Sequence, residues 1–205
     1  TVKIVAVSRE ANPPSRAVGP RTKVAVDSIE REVDPVGACI GARGARIQQV
    51  VNELRGEKID VIKWSSDPIQ YILNSLSPAK VDLVRLVDPE GQHAHVLVPP
   101  DQLSLAIGRE GQNVRLAARL TGWKIDVKNS HEYDQETEDS AVAELIVQRE
   151  EEENLQREAE LRLEAEQAER AAEDKRLREL YPLPEDEEEY GDERYDEETL
   201  SENDQ

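Results

Sequence analysis

The chain has 205 residues, and its formal net charge of −19 combines two regions of opposite character. Residues 1–128 carry 18 Lys and Arg against 15 Asp and Glu, a net of +3, whereas residues 129–205 carry 8 against 30, a net of −22. The single cysteine, Cys39, excludes an internal disulfide, and no apolar run is long enough for a membrane span or a signal peptide. We therefore expect a globular part that ends near Lys128, an acidic tail at 129–205, no membrane association and a reducing cytoplasm.

Residues 1–65 have, in chain order, the pattern strand, strand, helix, glycine turn, helix, strand. Alternating β-branched residues predict strands at 2–7 and 22–26. Asp34 followed by Pro35 is typical of a helix start, and apolar residues recur at helical spacing from Ile47 to Leu54. Gly56 lies where a helix ends in a left-handed conformation, and a Lys-Ile-Asp-Val strand closes the unit.

The same order returns in residues 66–128. Residues 34–44 align without a gap with 101–111, and the strand at 58–61 returns as Lys-Ile-Asp-Val at 124–127. Strands are predicted at 81–87 and 94–98, and Asp67 with Pro68 starts a helix that ends before Pro78. Because the linker around 64–66 is too short for a flexible tether, we predict two α+β modules packed in tandem as one body. Two independent units without a shared binding surface are the alternative.

Each module carries a G-x-x-G sequence between two helices, at residues 41–44 in the first loop and 108–111 in the second. Glycine lacks Cβ, so such a loop permits unusual dihedrals and lets a phosphate approach the main chain, while the next helix offers free N–H groups to the anion. One such loop could be a purely structural turn, but two copies in the same context favour phosphate binding. Glu110 places a carboxylate in the second loop, so we expect the first loop to be the stronger clamp.

These loops resemble the signature loop of KH domains, which clamps about four nucleotides. Four stretches, at 34–41, 51–60, 101–108 and 111–118, resemble more closely the tandem KH region of the NusA family of bacterial transcription factors. The resemblance covers residues 1–128. It implies the type II (prokaryotic) KH topology, an N-terminal helix of the first module and further domains that precede Thr1, and binding of single-stranded nascent RNA.

The resemblance also implies work with RNA polymerase and other transcription factors in pausing, termination and antitermination, by a monomer. A KH-containing ribosomal or RNA-processing protein is the alternative. The residues expected to bind RNA lie in the loops and just after them: Ile40, Gly41, Ala42, Arg43, Gly44, Arg46, Ile107, Gly108, Arg109, Glu110, Gly111, Gln112, Asn113 and Arg115. The candidate groove residues, each of which could instead belong to the core, are Val36, Ile40, Ile47, Leu103, Ile107 and Val114.

An enzyme is the main rival class, because glycine turns also bind nucleotides. The chain has neither G-x-G-x-x-G after a strand nor G-x-x-x-x-G-K-[ST], so we expect no catalytic residue and no cofactor. His93 and His95 lie two apart on a predicted strand, but no cysteine or histidine has a suitable spacing to join them. We therefore expect exposed histidines, no metal, and a Cys39 that packs as a small apolar residue.

In the tail, residues 140–180 contain neither glycine nor proline and predict a solvated single helix whose leucines do not sustain a heptad. The Glu-Asp runs after Pro182 and Pro184 predict disorder. Two roles stay open. The tail could only keep the protein soluble, or it could compete with RNA for the basic face of the modules or reach a basic surface on polymerase.

Overall fold

The first module is built from three strands and two short helices. The structure is a computed structural model in which residues 1–181 are described. In chain order the elements are β1 (Val2–Glu10), β2 (Arg21–Ser28), α1 (Pro35–Ile40), α2 (Ala45–Glu53) and β3 (Lys58–Lys63). The start of α1 is capped as the sequence predicts, since the Asp34 carboxylate accepts hydrogen bonds from the N–H groups of Val36 and Gly37.

The second module repeats this order after one additional helix. Helix α3 (Pro68–Ser75) begins where Asp67 caps the N–H of Ile69. The remaining elements are β4 (Leu83–Asp88), β5 (His93–Val98), α4 (Pro100–Ile107), α5 (Gln112–Thr121), β6 (Lys124–Asn129) and the long helix α6 (Gln135–Leu180). The expected disorder after Pro182 lies outside the described residues.

Both sheets have the same topology, which confirms the repeat read from the sequence. The strand orders are β1-β2-β3 and β4-β5-β6. In each sheet the first pair is antiparallel and the second is parallel. A parallel pair needs a crossover connection, and the two helices with their glycine loop provide it. Each module is therefore a mixed α+β unit with its loop held between two helices.

The main core lies inside the second module. Helix α3 contributes Ile72 and Leu76, and α5 contributes Ala117, all with 0% exposure. The inward side of β5 contributes Ala94, Val96 and Val98, which also have 0% exposure. Burial of this size dominates the stability of the described body.

A second apolar cluster joins the two modules. Ala25 and Ile62 of the first module pack with Tyr71 and Leu120 of the second, and the Tyr71 hydroxyl donates to the Leu120 carbonyl at 3.1 Å. The Lys23 ammonium, fully buried, donates to the carbonyl of Ser77 at 2.9 Å. The two modules belong to one compact unit, Thr1–Glu151.

The carboxylate of Glu10, at the end of β1, also joins the modules. It accepts hydrogen bonds from Arg115 Nε at 2.6 Å and Nη2 at 3.1 Å, and it forms an ion pair with Arg119 Nη2 at 3.1 Å. Glu10 is 6% exposed. The Arg115 hydrogen bond is the main reason why the pKa of Glu10 lies below its ordinary value, despite the opposing effect of burial.

Helix α6 begins five residues before the predicted Ser140, and its first turns are not solvated as expected. Val142 is 5% exposed, and ion pairs hold this segment to the second sheet through Arg85–Asp139 at 3.2 Å and Lys128–Glu138 at 3.1 Å. The polar outer side of the sheet provides these partners, which cannot be read from the helix sequence alone. The compact unit accordingly ends at Glu151 rather than near Lys128.

The second unit, described over residues 152–181, is the exposed continuation of α6. Its side chains are all exposed, as predicted for a solvated single helix. Among the described helices, none combines the length and the apolar character needed to cross a membrane.

Replacing Glu10 by Gln is expected to destabilise the Thr1–Glu151 body by about 2 kcal/mol at neutral pH, because two arginines then lose their buried anionic partner. A carboxylate whose folded pKa is lowered stabilises the fold above its unfolded pKa, and the contribution disappears as pH falls through the folded pKa. The difference between wild type and variant in urea unfolding should therefore shrink below about pH 4.

The matched control is Glu30→Gln, at an exposed position of the same module. It should change the free energy of unfolding by less than about 0.5 kcal/mol. An equal effect of both variants, or a Glu10→Gln effect that persists unchanged in acid, would contradict the assignment.

Candidate nucleic-acid interface

The two glycine loops have the same backbone conformation. The first glycines, Gly41 and Gly108, have φ and ψ of 75° and 175° and of 77° and 169°. The last glycines, Gly44 and Gly111, are left-handed with φ of 78° and 68°. Such positive φ values favour glycine, so the spacing of two glycines follows from the path of the chain.

The two residues between the glycines form the exposed tip of each loop. Arg43 and Glu110 occupy equivalent positions and are both left-handed, with φ of 53° and 52°. Ala42 and Arg109 precede them and are also exposed. Each tip thus presents one arginine to solvent, at the second tip position in the first loop and at the first tip position in the second loop. The second tip also carries a carboxylate, that of Glu110.

Each loop leads directly into a helix whose N-terminus has no side-chain cap. Neither Gly44 before α2 nor Gly111 before α5 provides a capping side chain, and α2 and α5 have 9 and 10 residues. The uncapped N–H groups and the helix dipole favour an anion at this end. A phosphate that approaches the glycines would meet these groups.

Arg46 and Asn113 lie five residues after the first glycine of each loop, and their side chains hydrogen-bond to carbonyl groups that precede the loops. Arg46 donates to the Ala38 carbonyl at 2.6 Å. Asn113 is 1% exposed and donates to the carbonyls of Leu76 and Ala106, at 3.2 and 3.0 Å. Asn113 is expected to contact RNA, and in the structure its buried side chain holds the second loop to the core.

Gln112 and Arg115 are likewise engaged within the protein. Gln112 is 6% exposed and donates to the Gly19 carbonyl at 3.0 Å, across the boundary between the modules. Arg115 binds Glu10 and also donates to the Glu110 carbonyl at 2.9 Å. Gly19 and Glu10 lie about a hundred residues away in sequence, so the loop motif gave no signal of these contacts.

A shallow groove of about 380 Å³ lies beside the second loop. Ile107 and Val114, both predicted as groove residues, line it together with residues 125–128 of the edge strand β6, which include Asp126. The β6 residues were not among the predicted groove residues, although the repeated Lys-Ile-Asp-Val sequence at 124–127 contains three of them. Leu103 packs instead against the core of the second module.

A cleft of about 400 Å³ separates the second loop from the first module. Its lining includes Gly108 and Arg109 of the loop, and Arg21, Gly56 and Lys58 of the first module. Three cationic side chains therefore border the cleft, although Arg21 is paired with Asp60 at 2.8 Å. The second loop opens toward a basic surface that the first module contributes.

The histidines differ from expectation, because both are buried. His93 is 7% and His95 is 2% exposed. The residues after β6 cover this side of the sheet, and the hydroxyl of Tyr133 lies 3.0 Å from His95 Nδ1. Asp126, on the neighbouring strand, lies 2.7 Å from His93 Nε2. Sequence spacing did not indicate Asp126 as a partner of the histidines, because it lies on a neighbouring strand and 33 residues from His93 in the chain.

Replacing Gly108 by Ala is expected to destabilise the protein by about 1 to 2 kcal/mol more than Gly41→Ala, its matched counterpart. Both glycines have nearly the same φ, so backbone strain contributes equally. A Cβ at position 108 would lie 2.8 Å from the backbone N of Asn113, whereas at position 41 the nearest atom is Arg46 Cγ at 2.9 Å, on a side chain that can move.

Urea unfolding of the two variants measures this difference. Equal losses would mean that the second loop moves away from α5 as easily as the first loop accommodates the methyl group.

Comparison with known proteins identifies both modules. Residues 1–64 match the NusA-like first KH domain, and residues 68–135 match the NusA-like second KH domain. The chain is 54% identical over 132 residues to a protein of Halalkalibacterium halodurans, covering 64% of this chain and 32% of the relative. A Bacillus subtilis protein is 53% identical over 129 residues, covering 63% and 33%, and a Thermus thermophilus protein is 54% identical over 124 residues, covering 60% and 30%.

All three relatives are named transcription termination/antitermination protein NusA. The chain spans about a third of the length of these relatives. The matched residues contain both glycine loops and all six strands described above. The chain belongs to the family of proteins with tandem NusA-like KH domains.

Proposed function

We propose that this chain binds single-stranded nascent RNA through both glycine loops, as the RNA-binding part of a bacterial factor that controls transcriptional pausing, termination and antitermination. The two loops have the same backbone conformation and belong to one compact body, and this observation carries the proposal. The names of the relatives support the transcriptional role.

Each loop would bind the RNA backbone through its main chain. The glycines let a phosphate approach closely, and the uncapped N-termini of α2 and α5 offer N–H groups. Arg43 and Arg109 add charge-assisted contacts from the two tips. Bases would lie in the groove beside the second loop and at the equivalent place beside the first loop. Such binding requires base edges free of Watson–Crick pairing and so favours a single strand.

The proposed contacts fall into two groups. Residues at the loop surface would touch RNA directly: Ile40, Gly41, Ala42, Arg43, Gly44, Arg46, Ile107, Gly108, Arg109, Glu110 and Gly111. Gln112, Asn113 and Arg115 would act indirectly, because their side chains hold the second loop and the first module in place. The first loop, without a carboxylate at its tip, is proposed as the stronger clamp.

RNA polymerase and other transcription factors are the proposed protein partners, by analogy with the named relatives. The proposed role places the protein in the bacterial cytoplasm, as a monomer that carries out no catalysis of its own. Co-purification of RNA polymerase with the protein, rather than of ribosomes or of a nuclease activity, distinguishes this role from that of an RNA-processing or ribosomal protein.

The direct test is fluorescence anisotropy of a labelled single-stranded RNA of about a dozen nucleotides, beside a duplex of the same sequence. We expect preference for the single strand. Replacing Ala42 and Arg43 by Asp, or Arg109 and Glu110 by Asp, should weaken binding by about tenfold or more, with the larger loss in the first loop. Aspartate tolerates the left-handed conformation at positions 43 and 110, so the loops should keep their path.

Charge-matched controls lie on the exposed part of α6. Ala171→Asp with Arg176→Asp changes the charge as much as the first-loop variant, and Arg176→Asp alone matches the second. Because they also make the tail more acidic, these controls should weaken binding slightly, and by much less than the loop variants. Equal losses in loop and control variants would reduce the effect to net charge, and equal binding of duplex and single strand would contradict the proposed groove.

We also propose that the acidic tail competes with RNA for the basic face of the modules. Residues 152–205 carry 22 acidic against 7 basic side chains, a net of −15. Removing them should tighten RNA binding several-fold at low salt and have little effect at high salt, where screening weakens both the tail and the phosphates.

The deletion has to begin after Glu151, because Val142 and Glu138 belong to the compact unit. Changing Glu158, Glu160, Glu164 and Glu166 to Gln keeps the length and reduces the charge, so it should produce part of the gain. Unchanged affinity on deletion would leave the tail with a solubilising role.

A further inference from the structure

The register of the second sheet brings two histidines and an aspartate together on the side of the sheet opposite to its core. Strands β5 and β6 are parallel, with His93 opposite Lys124 and His95 opposite Asp126. Because side chains alternate along a strand, His93 and His95 lie on the side opposite to core residues Ala94 and Val96. The ligand atoms of His93, His95 and Asp126 all lie within 4.8 Å of one another.

The two imidazoles direct the same ring nitrogen toward one carboxylate oxygen. His93 Nε2 lies 2.7 Å and His95 Nε2 lies 4.0 Å from Asp126 Oδ2. The rings meet edge to face, with centroids 5.3 Å apart. Both Nε2 atoms and the carboxylate thus converge on a common point, as the ligands of a bound cation do.

A hydroxyl behind His95 can fix the tautomer that metal binding needs. Tyr133 Oη lies 3.0 Å from His95 Nδ1 and accepts a hydrogen bond from Arg85 at 2.8 Å. When Nδ1 donates its hydrogen to this oxygen, the lone pair of Nε2 faces Asp126. Histidine ligands of metals are commonly oriented in this way by the group bound to their other nitrogen.

The first module has two basic side chains at the positions where the second module has His93 and His95. At the equivalent positions of the parallel pair, Arg21 lies opposite Lys58 and Lys23 opposite Asp60. The Asp60 carboxylate there contacts Arg21 at 2.8 Å and Lys23 at 3.1 Å, so it is paired with two basic side chains. In the second module His93 and His95 occupy the positions of these two basic side chains.

Other charges on this side of the sheet are already paired. Lys128 contacts Glu138 and Arg85 contacts Asp139, at 3.1 and 3.2 Å. The side chain of Asp126 is 41% exposed, whereas the two histidine side chains are 8% and 3% exposed. An ion could therefore enter from the aspartate side and keep water in its remaining position.

We propose that His93, His95 and Asp126 form a binding site for a divalent transition-metal ion, with Zn²⁺ as the representative. Two imidazoles and one carboxylate are a donor set suited to Zn²⁺, Co²⁺ and Ni²⁺, and poorly suited to Mg²⁺, which prefers oxygen ligands alone. The ion supplies the positive charge that Arg21 and Lys23 supply in the first module. It links β5 to β6 on the side where the start of α6 lies.

The test uses the whole 205-residue chain without an affinity tag, titrated with ZnCl₂ by calorimetry. We expect one ion per chain, a higher melting temperature with Zn²⁺, and no comparable effect of Mg²⁺. With Co²⁺ we expect visible absorption of a low-symmetry site without a sulfur charge-transfer band, because Cys39 is not among the ligands.

Asp126→Asn and His95→Gln should each weaken Zn²⁺ binding by about tenfold or more, and Tyr133→Phe by about tenfold through loss of the orienting contact. The amide introduced by Asp126→Asn can still hydrogen-bond to His93, and circular dichroism checks that each variant is folded. The matched control is His131→Ala, which removes the one remaining histidine, an exposed one, and should leave binding unchanged.

Failure of the wild type to bind Zn²⁺ would overturn the proposal. So would binding that persists in folded Asp126→Asn and His95→Gln but disappears in His131→Ala or Cys39→Ser. Neither result bears on RNA binding, which the loop variants test separately.

Discussion

The contact between Glu10 and two arginines of α5 fixes the position of one glycine loop relative to the other. Glu10 ends β1 of the first module, while Arg115 lies one helical turn beyond the second loop and also holds the Glu110 carbonyl. A shift of either module would leave a nearly buried carboxylate without its partners, at a cost of several kcal/mol. The apolar cluster of Ala25, Ile62, Tyr71 and Leu120 adds burial at the same boundary. The pair of loops therefore behaves as one rigid surface.

Rigidity affects how strongly two weak sites bind one RNA. In the proposed complex, an RNA strand held by the first loop would present its next nucleotides to the second loop at an effective concentration set by the fixed distance between the loops. A flexible linker would reduce that concentration and add an ordering cost. Fixing the modules in place uses an arginine near the loop. The guanidinium of Arg115 is held by Glu10 and is therefore not available to bind a phosphate. The sequence shows an arginine near the loop, and only the fold shows which anion it binds.

The elements that repeat in the sequence were predictable, and those that depend on distant contacts were not. The glycine loops and the closing strands follow from local rules that each copy supports in the other, and the cap at Asp34 follows from the Asp-Pro pair of the first copy. Gln112 and Asn113 were predicted as RNA contacts because they come directly after the loop, but their partners Gly19 and Leu76 come from other parts of the fold. The first turns of α6 were likewise assigned to solvent, since the charges of an ion-paired helix face resemble those of a solvated one.

In each sheet, the face that points away from the module's own helices is covered by the next segment of the chain. The two copies carry different residues on this face because the two faces are covered to different extents. The second module closes the outer side of the first sheet, where Lys23 is fully buried and donates both to Asp60 and to Ser77. A charge in that position has to be neutralised permanently, because solvent and ions do not reach it. The start of α6 closes the second sheet less completely and leaves Asp126 open. There the same register tolerates histidines, since in our proposal the positive charge beside the aspartate would come from a metal ion rather than from a basic side chain.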